Sequence, residues 1–202
     1  KFYYDIYNTS GTSGRVQFAL AYANKSGSHG TPYNSQVSGS TPTSTIYGQY
    51  RTLILGDEES NFTFGGVESE HFYVISIDRA RYREKLSPGS FELKLTYSGS
   101  LSLIDDSRTR LTDVYTDVGR VYEIVSGSAG VLYTGSNATG YSASGSYGKF
   151  LPDIGTILLN AKALALTTGA AGGISLPLTG TTPAGTIVPL FNAMTTGASF
   201  KL

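Results

Sequence analysis

Cysteine is missing from all 202 residues, and tryptophan with it. Without a thiol there is no disulfide, no thiolate metal ligand and no cysteine nucleophile. Histidine occurs only twice, which leaves little imidazole for a catalytic dyad or a zinc site. Charge is sparse as well: acidic and basic residues make up 15% of the chain, against about a quarter of an ordinary domain. They balance at 15 of each, so the formal net charge is zero. A neutral surface favours association over mutual repulsion, and it lacks the basic excess that a nucleic-acid partner requires. No run of about 18 apolar residues is present, so no segment reads as a membrane span.

Aromatic residues, by contrast, are abundant, with 15 Tyr and 9 Phe beside 25 Gly. Tyr and Phe in a Gly/Ser/Thr background point to strands and turns. The charges are uneven. Thirteen of the 15 acids and nine of the 15 bases lie between Arg51 and Glu123, and beyond Ile124 only Lys149, Asp153, Lys162 and Lys201 are charged. The middle therefore reads as a solvated domain, and the C-terminal part as a segment that another surface must cover.

The alternation Phe91-Glu92-Leu93-Lys94-Leu95-Thr96-Tyr97 predicts a half-buried strand. Ser98-Gly99-Ser100 turns it into a second strand at Leu101–Ile104, making a hairpin. The unbroken run His71–Ile77 suits a strand covered on both faces. Asp78 followed by Arg79 to Leu86, with Pro88-Gly89 as a stop, predicts a short helix over 79–86. Strands are also expected at 113–117 and 120–125, turning near Val118-Gly119, and at Thr156–Leu159. Asn160 is placed to cap a short helix from Ala161 to Leu166. Residues 31–45 and 126–148 read as long Gly/Ser loops. The expected fold is mainly β, with antiparallel sandwich-like sheets and one or two short helices. It divides into a β-rich region over 1–125, a loop with a strand and short helix over 126–166, and an extended arm over 167–202. Ala198–Leu202 reads as mid-strand, so a longer polypeptide is expected.

Chemistry-bearing motifs are few. Glu68, Glu70 and His71 lie close in sequence, but in a strand His71 points away from the two acids, which argues against a metal site. Asp57-Glu58-Glu59 and Asp105-Asp106 hold carboxylates of the kind that work in pairs on glycosidic bonds, yet no spacing brings the two clusters together. No Gly-x-Ser-x-Gly elbow, Walker loop or dinucleotide fingerprint occurs. The strongest charge feature is Arg79, Arg81, Arg83 and Lys85. Arg79 or Arg83 is expected to pair with a carboxylate in this chain or across a subunit boundary.

Three stretches carry a likeness: Ile46 to Asp57, Phe72 to Ser90 and Tyr147 to Asn160. They resemble virion structural proteins of contractile-tailed, T4-like phages, including those infecting cyanobacteria, and within that group a baseplate wedge component. The resemblance implies a virion location after assembly in the host cytoplasm. It implies assembly contacts in place of catalysis, no cofactor, and other virion subunits as partners, copies of the same chain among them. Arg79, Arg81 and Arg83 are the first expected contacts. Ile187, Val188, Leu190 and Phe191 are the second, on an extended apolar arm laid in an intermolecular groove, because Pro177, Pro183 and Pro189 oppose a helix there. The alternative is a receptor- or carbohydrate-binding β module of a tail fibre, with Tyr133, Tyr141 and Tyr147 as sugar platforms.

Overall fold

The computed structural model describes residues 3–8, 14–27, 41–134, 139–166, 174–178, 183–195 and 197–202, and of residues 183–186 the backbone alone. In chain order the elements are β1 (Tyr3–Tyr7), β2 (Val16–Asn24), α1 (Pro42–Leu55), β3 (Phe62–Phe64), β4 (Val67–Ser69), β5 (His71–Ile77), β6 (Glu92–Thr96), β7 (Ser100–Asp105), β8 (Val114–Thr116), β9 (Gly119–Ser128), β10 (Val131–Leu132), β11 (Gly148–Leu151), β12 (Thr156–Asn160), α2 (Ala161–Leu164), α3 (Pro183–Thr195) and β13 (Ser199–Lys201).

The fold is mainly β and antiparallel, as expected. One large sheet runs β1-β2-β5-β12-β11-β9-β7-β6-β13, with β8 and β10 attached to β9, and the hairpin β3–β4 stands apart. The sheet curls. Phe18 near one edge meets Phe200 on the opposite edge strand, with ring centroids 5.2 Å apart and edge-on. Apolar side chains line both faces. Tyr73, Ile75 and Ile77 of β5 enter the core inside the curl, while Phe72 and Val74 enter a second core outside it. That double burial is why the run His71–Ile77 lacks polar alternation. In β6, Phe91, Leu93 and Leu95 face the inner core and Lys94 faces water, and Leu95 pairs with Leu101 across the hairpin.

Beneath α1 the face of β2 is small: Ala21 and Ala23 lie there, while Phe18, Leu20 and Tyr22 take the inner face. Small residues let the helix approach closely. The loop expected over 31–45 therefore ends early, since residues 41–45 already belong to the helix start; residues 31–40 lie outside the described residues. Thr41 is the N-cap, Pro42 takes the first turn, and Thr41 and Ser44 form a reciprocal capping box. Gly56 closes the helix at φ 72°, a conformation glycine adopts without strain.

The extended arm is corrected. Residues 183–195 form α3, with Pro189 inside it. Ile187, Leu190, Phe191 and Met194 fall at i, i+3, i+4 and i+7, which is one face of a helix. That apolar stripe, buried against β2 and β6, outweighs the proline. Ile174 and Leu176 are buried as well, and Ser199–Lys201 adds β13 to β6. Residues 167–173, 179–182 and 196 lie outside the described residues. The loop expected over 126–148 is also tighter than its composition suggests. β9 runs on to Ser128, and Ser126, Ser146 and Tyr147 are buried.

Candidate functional site

Asp78 Oδ1 accepts the Ala80 N–H at 2.8 Å and opens only a 3₁₀ turn, Arg79–Arg81, in place of the helix expected over 79–86. From Tyr82 onward tertiary contacts dictate an extended path. Tyr82 packs so tightly over Gly155 that a Cβ there would lie 2.5 Å from its hydroxyl. The Leu86 N–H donates to Pro152 O at 2.9 Å, and Leu86 is buried. Residues 78–86 thus form a strap across one end of the sheet. Arg79 donates to Tyr82 O at 2.6 Å, and its guanidinium lies 4.6 Å from the centre of the Tyr82 ring, a cation–π contact. Among the described residues no carboxylate partner is found: Arg79, Arg81 and Arg83 are exposed and join none of the ion pairs there.

A second charged group was not foreseen. Asp106, at the end of β7, lies opposite Glu123 of β9. Asp106 Oδ1 accepts the Glu123 N–H at 2.9 Å, and Oδ2 takes Arg110 Nε at 2.7 Å. Glu123 Oε1 accepts from Lys149 Nζ at 2.6 Å across the β9–β11 pair, and Oε2 accepts from the Ser146 hydroxyl. Burial pushes the Asp106 carboxyl above its ordinary value, an effect that Arg110 partly offsets. Burial raises the nearby Tyr141 phenol too, and the Glu123 and Asp106 charges add to it. All four carboxylate oxygens are engaged, so none stands ready to take a proton from a substrate. The group behaves as a tie between β7, β9, β11 and the 139–147 loop. Its sequence signal was Glu123 within Val121-Tyr122-Glu123-Ile124-Val125, a charge in a strand covered on both faces.

Asn160, expected as a helix cap, makes no capping bond. Its buried amide instead donates to Ser144 O and Ser146 O, both at 2.9 Å, pinning the same loop. The acidic clusters remain apart. Asp57 accepts the Glu59 and Ser60 N–H groups in the turn after α1, whereas Asp105, buried, holds the Gly89 N–H. Glu68 and Glu70 are exposed, and His71 lies beside the Tyr22 ring. Among the described residues no group of three or more His, Asp or Glu is placed to hold a metal ion. His29 lies outside the described residues.

Among the apolar side chains that reach the surface, two places stand out. Before and along β8, Leu111 is fully exposed, Tyr115 is mostly in water and Val114 is about half exposed. β8 hangs from β9 by a single short pairing, so these side chains project from the sheet. Under the β9–β10 hairpin a pocket of about 330 Å³ is lined by Ser100, Ser102, Ser128, Val131 and Tyr133. Of the three tyrosines expected as platforms, Tyr133 is 44% exposed, Tyr141 is half-buried over the charged group, and Tyr147 is buried in the core. Ile187 and Leu190 are fully buried inside this chain and cannot also meet a neighbour, while Val188 and Phe191 are half-buried, with Phe191 against the Tyr4 ring. No helix among the described residues is long and apolar enough to cross a membrane.

Compared with known proteins, the chain matches no family model, no curated sequence and no solved structure.

Proposed function

We propose that this chain is a structural subunit of a contractile-tailed phage virion, in the tail or baseplate wedge, and that it acts through contacts with neighbouring subunits. The observation that carries the proposal is the exposure of three apolar side chains close together along the chain, Leu111, Val114 and Tyr115, on a chain with no net charge. Apolar side chains left in water are costly, and they mark a contact surface when a neutral chain offers no repulsion against association. The resemblance of residues 46–57, 72–90 and 147–160 to virion proteins supports the same reading. On this proposal the chain is not an enzyme and holds no cofactor, and its partners are other virion subunits.

The test is a phage carrying Leu111→Asp with Tyr115→Asp. Both side chains are exposed, so the isolated variant should keep the wild-type circular dichroism and melting temperature. Purified particles should then lack the chain or lack intact tails. Particles that incorporate the variant at wild-type levels would overturn the proposal.

Sugar binding is the alternative, favoured by the pocket that sets the exposed Tyr133 ring beside serine hydroxyls. Glycan-array binding by the isolated chain, lost in Tyr133→Ala, would support it, and an array with no signal would end it.

A further inference from the structure

Most of the charged residues fall into three groups, two of which are mainly exposed and oppositely charged. The first lies on the sheet end crossed by the strap. The Asp78 N–H donates to Gln17 O at 3.0 Å, which places the strap beside the start of β2, where Arg15 also sits. Arg15, Arg79, Arg81, Arg83 and Lys85 are all exposed, against Asp78 and Glu84; Asp153, near Lys85, is already paired with Arg120, which leaves a surplus of three positive charges.

The second group lies in the turn after α1 and on the β3–β4 hairpin. Asp57, Glu58 and Glu59 follow the helix, Glu68 is in the hairpin's second strand and Glu70 follows it. Asn61 joins the two stretches, donating to Glu68 at 3.4 Å and accepting from Lys25 at 2.7 Å. Arg51 and Lys25 are the nearby bases. The exposed Asp117 lies against Gly56, beside these acids; together they outnumber the two bases and leave a negative surplus.

The ion pairs formed among the described residues are Arg110–Asp106, Arg120–Asp153, Lys149–Glu123 and Lys201–Glu92, the third group. None uses the five bases of the first surface or the acids of the second. The chain forms its ion pairs elsewhere and leaves two opposite surpluses at the surface.

We infer that the chain binds a second copy of itself, with the basic strap end of one copy against the acidic helix–hairpin surface of the other. Exposed charges alone would give a weak contact, but each surface also carries apolar area. The strap end opens into a cleft of about 250 Å³ lined by Gln17, Phe18, Ile77, Arg81, Phe200 and Leu202. On the acidic surface Val67 stands exposed beside Glu68. Charge would set the orientation and the encounter rate, and the apolar parts would hold the contact.

The test uses the purified chain alone, so its outcome is independent of the virion proposal. Light scattering should give a mass above the 21.4 kDa of one chain at ~0.01 M salt, falling back to one chain near 1 M, where the screening length drops to about 3 Å. Arg81→Glu/Arg83→Glu/Lys85→Glu should weaken self-association about a hundredfold, because like charges then face each other. Glu58→Lys/Glu59→Lys/Glu70→Lys should do the same. Mixing the two variants in equal amounts should restore the associated mass. Should a reversed variant not fold, Arg81→Gln/Arg83→Gln/Lys85→Gln reads the same loss. The inference is overturned by a wild-type chain monomeric at low salt. It is equally overturned by either variant associating alone as wild type does, or by a mixture that stays monomeric.

Discussion

Lys149 and Glu123 show what a charge costs inside a sheet. Both side chains are mostly buried, at 14% and 10% exposure. Lys149→Met should therefore destabilise by on the order of 3 kcal/mol, because it leaves Glu123 charged, buried and short of its strongest donor. Urea unfolding measures this, and the companion Glu123→Gln with Lys149→Met should recover part of the loss. Asp153 behaves differently. Arg120 donates to both of its oxygens, at 3.3 and 3.0 Å, and adds its backbone N–H at 2.8 Å. The Arg120 side-chain bonds hold the Asp153 carboxyl below its ordinary value. The folded chain then binds fewer protons than the unfolded one, so this stability is present above about pH 4 and is lost as pH falls through the carboxylate range. Asp153→Asn should lower stability at neutral pH, and the gap from wild type should close on acidification. Neither network was legible beforehand, because the partners lie 26 and 33 residues apart and only the strand register brings them together.

Among the elements, those whose pattern is local were readable and those that depend on distant cover were not. The alternation over Phe91–Tyr97 and the Ser98-Gly99-Ser100 turn indicated the hairpin β6–β7. Leu93, fully buried, should cost about 2–5 kcal/mol on replacement by Ala; a loss below ~0.5 kcal/mol in chemical denaturation would contradict its placement in the core. α1 was obscured by its Thr, Tyr and Gly content, although Thr41-Pro42 and Gly56 mark its ends. α3 was hidden by Pro183 and Pro189, even though Ile187, Leu190, Phe191 and Met194 keep helical spacing. Here the packing term wins: an interior proline costs about 3 kcal/mol, against about 1.5–3 kcal/mol for each large apolar side chain fully buried. This reverses what truncation should do. A chain ending at Leu166 loses Ile174, Leu176, Ile187, Leu190 and Phe200 from the inner core, so it should fail to melt cooperatively. A truncated form with the wild-type melting temperature would contradict that packing.

For the whole molecule, the curled sheet accounts for where the apolar mass went. In the C-terminal segment, poor in charge, the helix α3 packs against the chain's own β2 and β6. What remains for neighbours is smaller and elsewhere: the exposed side chains of Leu111, Val114 and Tyr115, and the two opposed charge surfaces. Composition had signalled association through low charge and zero net charge, but it could not place the surface, because exposure is a property of the folded sheet. The most direct measurement is hydroxyl-radical footprinting of the isolated chain and of purified tails, read at Leu111, Val114 and Tyr115. A subunit acting through these side chains predicts strong labelling of all three in the isolated chain and protection in the tail. Equal labelling in both states, or tails that contain no peptide of this chain, would contradict it.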